Sequence, residues 1–225
     1  AALCRTWHNG RTLPWSDKGA RLLPMSMFLD YKREANARRD RFNFMVDKFL
    51  TDYPTLVNAA QQHLGYLFDP TDYPSADEVA SKFGYRLVFS PVPEAGDFRI
   101  QVGADDMAEL REQYESAYDV RVKEAMGTAW DKLHETLTRM AEKLTDPEGE
   151  DAKPKLFHGT FVTNAQEMCS LLSHLNITKD PQLEQARRDL EKLIANVDID
   201  DIRKDAGVRL DMKAQLEATL KKYEW

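Results

Sequence analysis

Apolar side chains recur every three or four residues through a proline-free stretch from Ala104 to Leu144. Met107, Leu110, Tyr114, Tyr118, Val122, Met126, Trp130, Leu133, Leu137, Met140 and Leu144 lie on one slowly drifting face. The spacing predicts a single helix about 60 Å long at 1.5 Å per residue. Such a helix overruns a compact globule of this size, so the pattern calls for a second long helix or a partner beside it.

A second periodic stretch supplies a candidate. From Ser26 onward, Phe28, Tyr31, Ala35, Arg38, Phe42, Met45 and Phe49 alternate spacings of three and four, a heptad seam interrupted by one arginine. It predicts a helix to about Leu50, a break or restart at Pro54, and a further helix through about Tyr66, because proline is tolerated in a first turn and not in an interior. FDPTDYPS reads as a loop, and Ser75 with Glu78 has the capping-box form that opens a short helix to about Phe83. YRLVFSPV and DFRIQV are then rich in aromatic and β-branched residues and are joined through Pro93, Ala95 and Gly96, which predicts a β-hairpin over 84–103. Upstream, RTLPWSDKGARLLP (11–24) has the composition of an ordered loop.

Beyond the long helix, DPEGEDAKPK reads as a hinge that divides the chain near residue 150. Amphipathic helices are expected over Thr160 to Leu175, from the Asp180-Pro181 start signal to about Asn196, and from Leu210 to Tyr223, with a turn or short helix over Asp198 to Ala206. The expected architecture is mainly α: an N-terminal loop region (1–25), an elongated antiparallel helical hairpin (26–147) with an inserted β-hairpin (84–103), and a C-terminal helical bundle (155–225). The hairpin would join Phe28, Phe42, Met45 and Phe49 to Val122, Met126, Trp130, Leu133 and Leu137.

With 225 residues, 42% of them hydrophobic and 31% charged, the chain can fill one or two cores. No apolar run approaches the roughly 18 residues of a membrane span, and the first residues lack an apolar signal core, which predicts a cytoplasmic protein. The missing initiator methionine further suggests a truncated start. Cys4 and Cys169 have no metal-ligand spacing and read as free thiols. Charge is uneven: residues 1–50 hold ten Lys/Arg against five Asp/Glu, and 104–150 hold six against thirteen. An acidic long helix beside a basic first one accounts for that asymmetry.

No catalytic constellation stands out. His8, His63, His134, His158 and His174 show no two-histidine helical spacing, and no G-x-S-x-G or Gly-Lys-Ser/Thr sequence occurs, HGTF (158–161) included. Asp198, Asp200, Asp201 and Asp205, like Asp105 and Asp106, read as helix caps and first-turn acids. No catalytic residue, cofactor or metal is therefore assigned. The most suggestive binding feature is YKREANARRDRFNF, in which Lys32, Arg33, Arg38, Arg39 and Arg41 could contact nucleic-acid phosphates while the interleaved aromatics fall on the core seam.

TLPWSDKGARLLP, FLTDYP, YRLVFSPVPEAGDFRI and LNITKDPQLE together resemble a family of bacteriophage and integrative-element proteins of unknown function, over roughly residues 7–205. Its motifs are short and structural in type, and members continue upstream of LPW. The resemblance implies a setting near phage-type recombination functions and an AAA+ MoxR-like ATPase as a partner. The expected function is a non-enzymatic adaptor or scaffold acting on itself or on a protein partner, the alternative a DNA-binding accessory factor in replication or recombination.

Overall fold

The computed structural model describes residues 2–16, 19–92, 104–145, 157, 159–195, 197–223 and 225. Among them the protein is mainly α, with eight α-helices and one two-stranded antiparallel sheet. In order these are α1 (Ala2–Arg11), β1 (Leu13–Pro14), β2 (Arg21–Leu22), α2 (Phe28–Leu64), α3 (Ala76–Ser81), α4 (Ala104–Leu144), α5 (Thr160–Leu175), α6 (Pro181–Ala195), α7 (Ile199–Lys204) and α8 (Ala206–Lys222). Contacts divide the chain into two units: unit 1 is Ala1–Trp7 with Phe28–Glu94, and unit 2 is His8–Met27 with Ala95–Trp225. The partition differs from the expected one, because α4 belongs with the C-terminal helices.

Unit 2 holds one continuous hydrophobic core. The second half of α4 buries Ala125, Met126, Ala129, Leu133, Leu137, Met140, Ala141 and Leu144, and it packs chiefly on α8, α5 and β1. The alanines let neighbouring backbones approach closely while the leucines fill the space between them. α5 contributes Phe161, Ala165, Cys169, Leu172 and Leu175, and α6 contributes Leu183, Ala186, Leu190 and Ile194. Leu133 and Leu137 are thus enclosed by helices of their own unit, which corrects the hairpin interface expected for them. Periodicity defined the buried face of α4 and left its partner open.

Polar groups then fix the helix ends. Asp198 accepts from the Asp200 N–H, and Asp205 caps α8 by accepting from Gly207 and Val208. Asp180 Oδ1 accepts from the Gln182 and Leu183 N–H groups at the start of α6, and its Oδ2 accepts from Trp130 Nε1 at 3.1 Å. Tyr223 Oη and Lys222 Nζ both donate to Asp189 Oδ2, tying α8 to α6. The LNITKDP motif is the α5–α6 turn, closed by reciprocal hydrogen bonds between Asn176 and the Asp180 backbone.

The hairpin of this fold lies outside the stretch expected to form one. Leu13 pairs with Leu22 and Pro14 with Arg21, in the segment expected to be an ordered loop. Gly19, at φ 86°, supplies the left-handed residue its turn requires. Leu13 is fully buried, and Arg21 donates to the Thr12 and Asn9 carbonyls, as Lys132 does to Asn9. Both cations thereby meet the carbonyl end of α1, where the helix dipole favours positive charge. Within the predicted 84–103 hairpin, residues 84–92 form no strand pairing, and 93–103 lie outside the described residues. The hinge over 146–155 lies outside them too, as does His158. The expected loop over 1–25 is corrected at its start, where residues 2–11 are helical.

On α6, Glu184 accepts two hydrogen bonds from Arg187 and one from Arg188, while Arg187 also reaches Glu191. The Arg187 contacts, foremost, hold the Glu184 carboxyl down to about 2 from its usual 4.5. A carboxyl depressed in the folded state stabilises fully above the unfolded value and loses that contribution as pH falls toward the folded one. Glu184→Gln is therefore expected to cost about 1 kcal/mol near neutrality. The gap between parent and variant in urea unfolding should narrow from pH 4.5 downward and close near pH 2.

Candidate functional site

Unit 1 is built on α2, which runs unbroken through Pro54. The expected break there is corrected. Proline forfeits one backbone hydrogen bond, but rings in the turns just before it anchor the helix: Phe49 meets Tyr53 at 5.8 Å and Phe83 at 5.8 Å, and Tyr53 Oη donates to the Pro74 carbonyl. The Ser75–Glu78 capping box forms as expected and starts α3 beside this cluster.

The basic side chains of α2 do not present one surface. At 3.6 residues per turn, Lys32 and Arg39 share a face, while Arg33 and Arg41 point in two other directions. Arg33 pairs with Asp30 at 2.7 Å, Arg38 with Glu34 at 2.6 Å and Arg39 with Asp40 at 3.0 Å. Arg38 also lies over the Trp7 ring at 4.6 Å, and Trp7 stacks on Tyr31 at 4.8 Å. Lys32 sits 5.9 Å above the Phe28 ring. Arg41 is exposed and has no ion pair among the described residues. The cations are legible in the sequence, but their availability is set by the carboxylates that pair with them, three and four residues earlier for Arg33 and Arg38 and one residue later for Arg39.

What unit 1 does present is apolar. Its buried residues are Trp7, Tyr31 and Ala35 alone among those described, whereas Leu29, Phe44, Met45, Leu56, Tyr66, Leu67 and Val88 stand in water. Phe44 is 68% exposed, Met45 60% and Tyr66 96%. Met45 belonged to the expected interior seam, and its exposure corrects that placement. Phe42 and Phe49 keep partners inside the unit: Phe42 meets Tyr85 at 6.0 Å, and Phe49 meets Phe83. Partial burial lifts the Tyr85 phenol above its ordinary value; Cys4 adds to the rise, and Arg38 and Arg39 oppose it.

Unit 2 offers an open groove of about 980 Å³ beside the first half of α4, lined by Trp15, Glu109, Glu112, Val120, Arg121 and Glu124. Its mixed polar lining contains no buried polar group aimed into it. Ser26 and His174 share a 3.0 Å hydrogen bond, but both are exposed. Burial pushes the Cys169 thiol up to about 11, far from the range of a nucleophilic thiolate. Among the described residues no group of three or more His, Cys, Asp or Glu could hold a metal ion, and no helix is long and apolar enough to cross a membrane.

No protein-family model, curated protein or solved structure matches the chain. The apolar surface of unit 1 thus stands on its own chemistry. Water-exposed rings and aliphatic side chains are spread along α2 and the segments beside it.

Proposed function

We propose that this is a non-enzymatic helical adaptor or scaffold of a bacteriophage or mobile element, working through protein–protein contacts made by unit 1. The observation that carries the reading is the exposure of Phe44, Met45, Leu56, Tyr66 and Leu67 on a unit that buries only three described residues. Folding leaves that apolar area in water, and association removes it, at roughly 25 cal/mol per Å² before the costs of binding. The phage setting rests on the four-motif resemblance, which also makes an AAA+ MoxR-like ATPase the first partner to try.

The test places a photo-crosslinking side chain at position 45 of the full chain in cells, with position 33 as the control. A discrete protein adduct from position 45, identifiable as a partner or as a second copy, is expected, with little from position 33. Equal, diffuse labelling from both positions would remove the reading. Salt-sensitive DNA binding lost on neutralising Arg38, Arg39 and Arg41 would favour the accessory-factor alternative instead.

A further inference from the structure

Two cations share one oxygen in unit 2. Lys132 Nζ, on α4, donates to the Asn9 carbonyl at 3.1 Å, and Arg21 Nη2, on β2, donates to the same carbonyl at 3.4 Å. Arg21 is fixed in place by two further bonds, from Nε to Thr12 Oγ1 at 2.6 Å and from Nη2 to the Thr12 carbonyl at 2.9 Å. Thr12 is buried and donates in turn to the His8 carbonyl at 2.7 Å, so the guanidinium is held against the end of α1. Through the shared acceptor, the ammonium and the guanidinium nitrogen lie no more than two hydrogen-bond lengths apart.

The carbonyl end of a helix carries only about half an elementary negative charge, which offsets part of two full positive ones. Glu135, one turn along α4, is engaged by Arg139, and Lys132 enters no ion pair among the described residues. The Lys132 side chain is half-buried; burial first, and Arg21 second, hold its ammonium below the ordinary lysine range, with Glu135 opposing. His8, on α1, is lowered by burial and by the same guanidinium. The surroundings therefore favour a neutral amine at position 132, and a desolvated lysine amine beside another cation is a nucleophile.

We propose that Lys132 is a carbon dioxide site, at which the amine forms a carbamate held by Arg21. The Nζ lone pair attacks the carbon of dissolved carbon dioxide; an N–C bond forms, one C=O π pair moves onto oxygen, and a proton passes from Nζ to water. No oxidant, reductant or leaving group is required. One N–H stays on Nζ, so the bond to the Asn9 carbonyl survives, and the new carboxylate forms beside the guanidinium that shares that carbonyl. The charge at position 132 changes from positive to negative, which converts a like-charge pair into an ion pair with charge-assisted hydrogen bonds. An acyl donor attacking the same amine would leave a neutral amide, whereas the carbamate carries the charge that the site lacks. Its formation ties β2 and the end of α1 more firmly to α4.

The test equilibrates the full chain with isotopically labelled bicarbonate and carbon dioxide at mildly alkaline pH, traps carbamates as their esters with a trialkyloxonium salt, and locates them by peptide mass spectrometry. Trapped adduct at Lys132 should exceed that at Lys123 and Lys143, exposed lysines of the same helix, at least about tenfold. That comparison is internal to one molecule and depends on no variant folding. Arg21→Gln, with circular dichroism matching the parent, should cut the Lys132 adduct at least about fivefold, since it both returns the amine toward its protonated form and removes the cation that holds the product. Adduct spread evenly over the three lysines, or absent from Lys132, would overturn the site. A Lys132 adduct unchanged in folded Arg21→Gln would overturn the guanidinium's part in it.

Discussion

Trp130→Ala is expected to destabilise unit 2 by about 3 kcal/mol, near the low end of the range for removing a large ring from a packed site. The side chain does three things at once. Its Nε1 donates to Asp180 Oδ2, and its ring packs on Tyr223 at 5.9 Å and edge-on to Trp225 at 5.5 Å. Since Asp180 also caps α6 through its other oxygen, the indole links α4 to the first turn of α6 and to the end of α8. Trp130→Phe separates these contributions: the ring contacts survive and the hydrogen bond is lost, for about 1 kcal/mol. Urea unfolding followed by far-ultraviolet circular dichroism checks both. Equal costs for the two variants would mean that the hydrogen bond, rather than the ring, holds the junction.

Leu137→Ala is expected to cost about 2 to 5 kcal/mol, the usual range for truncating a fully enclosed leucine. Leu137 has no exposed surface and lies in the continuous core of unit 2, where close packing leaves little room to collapse onto the void. Met45→Ala, by contrast, should stay within about 0.5 kcal/mol, as expected of an exposed site. The comparison decides between two architectures, since an α2–α4 seam would make both substitutions costly. A melting temperature lowered by several degrees in the first and unchanged in the second is the expected pair of results, at about 2 to 4 °C per kcal/mol.

Local features were legible in the sequence because their causes are local. The 3.6-residue period alone places α4 over Ala104–Leu144 and α5 over Thr160–Leu175. Ser75 and Asp198 announce helix starts because the capping partner sits two or three residues away along the chain. The cation cluster on α2 was legible only in part: its residues could be counted, but whether Arg33, Arg38 and Arg39 remain available depends on Asp30, Glu34 and Asp40 beside them. The turn of the Leu13–Leu22 hairpin carried a signal in Gly19, outweighed by the prolines on either side of it.

By itself, then, the sequence determined the mainly helical class, the extents of α4 and α5 and the buried face of the second half of α4, but not α1, the continuity of α2 through Pro54 or the exposure of Met45. Tertiary structure decided which faces meet. An apolar stripe fits any other of similar width, and only the alternation of Ala125, Ala129 and Ala141 with Leu133 and Leu137 against α5 and α8, with Leu13 added from β1, selects the partners. It also decided that YRLVFS lies on the rings of Phe28, Tyr31 and Phe42, with no strand beside it among the described residues. β-Propensity reports fit to a pleated, half-buried surface, and a ladder of aromatic rings along a helix supplies the half-burial without the hydrogen bonds.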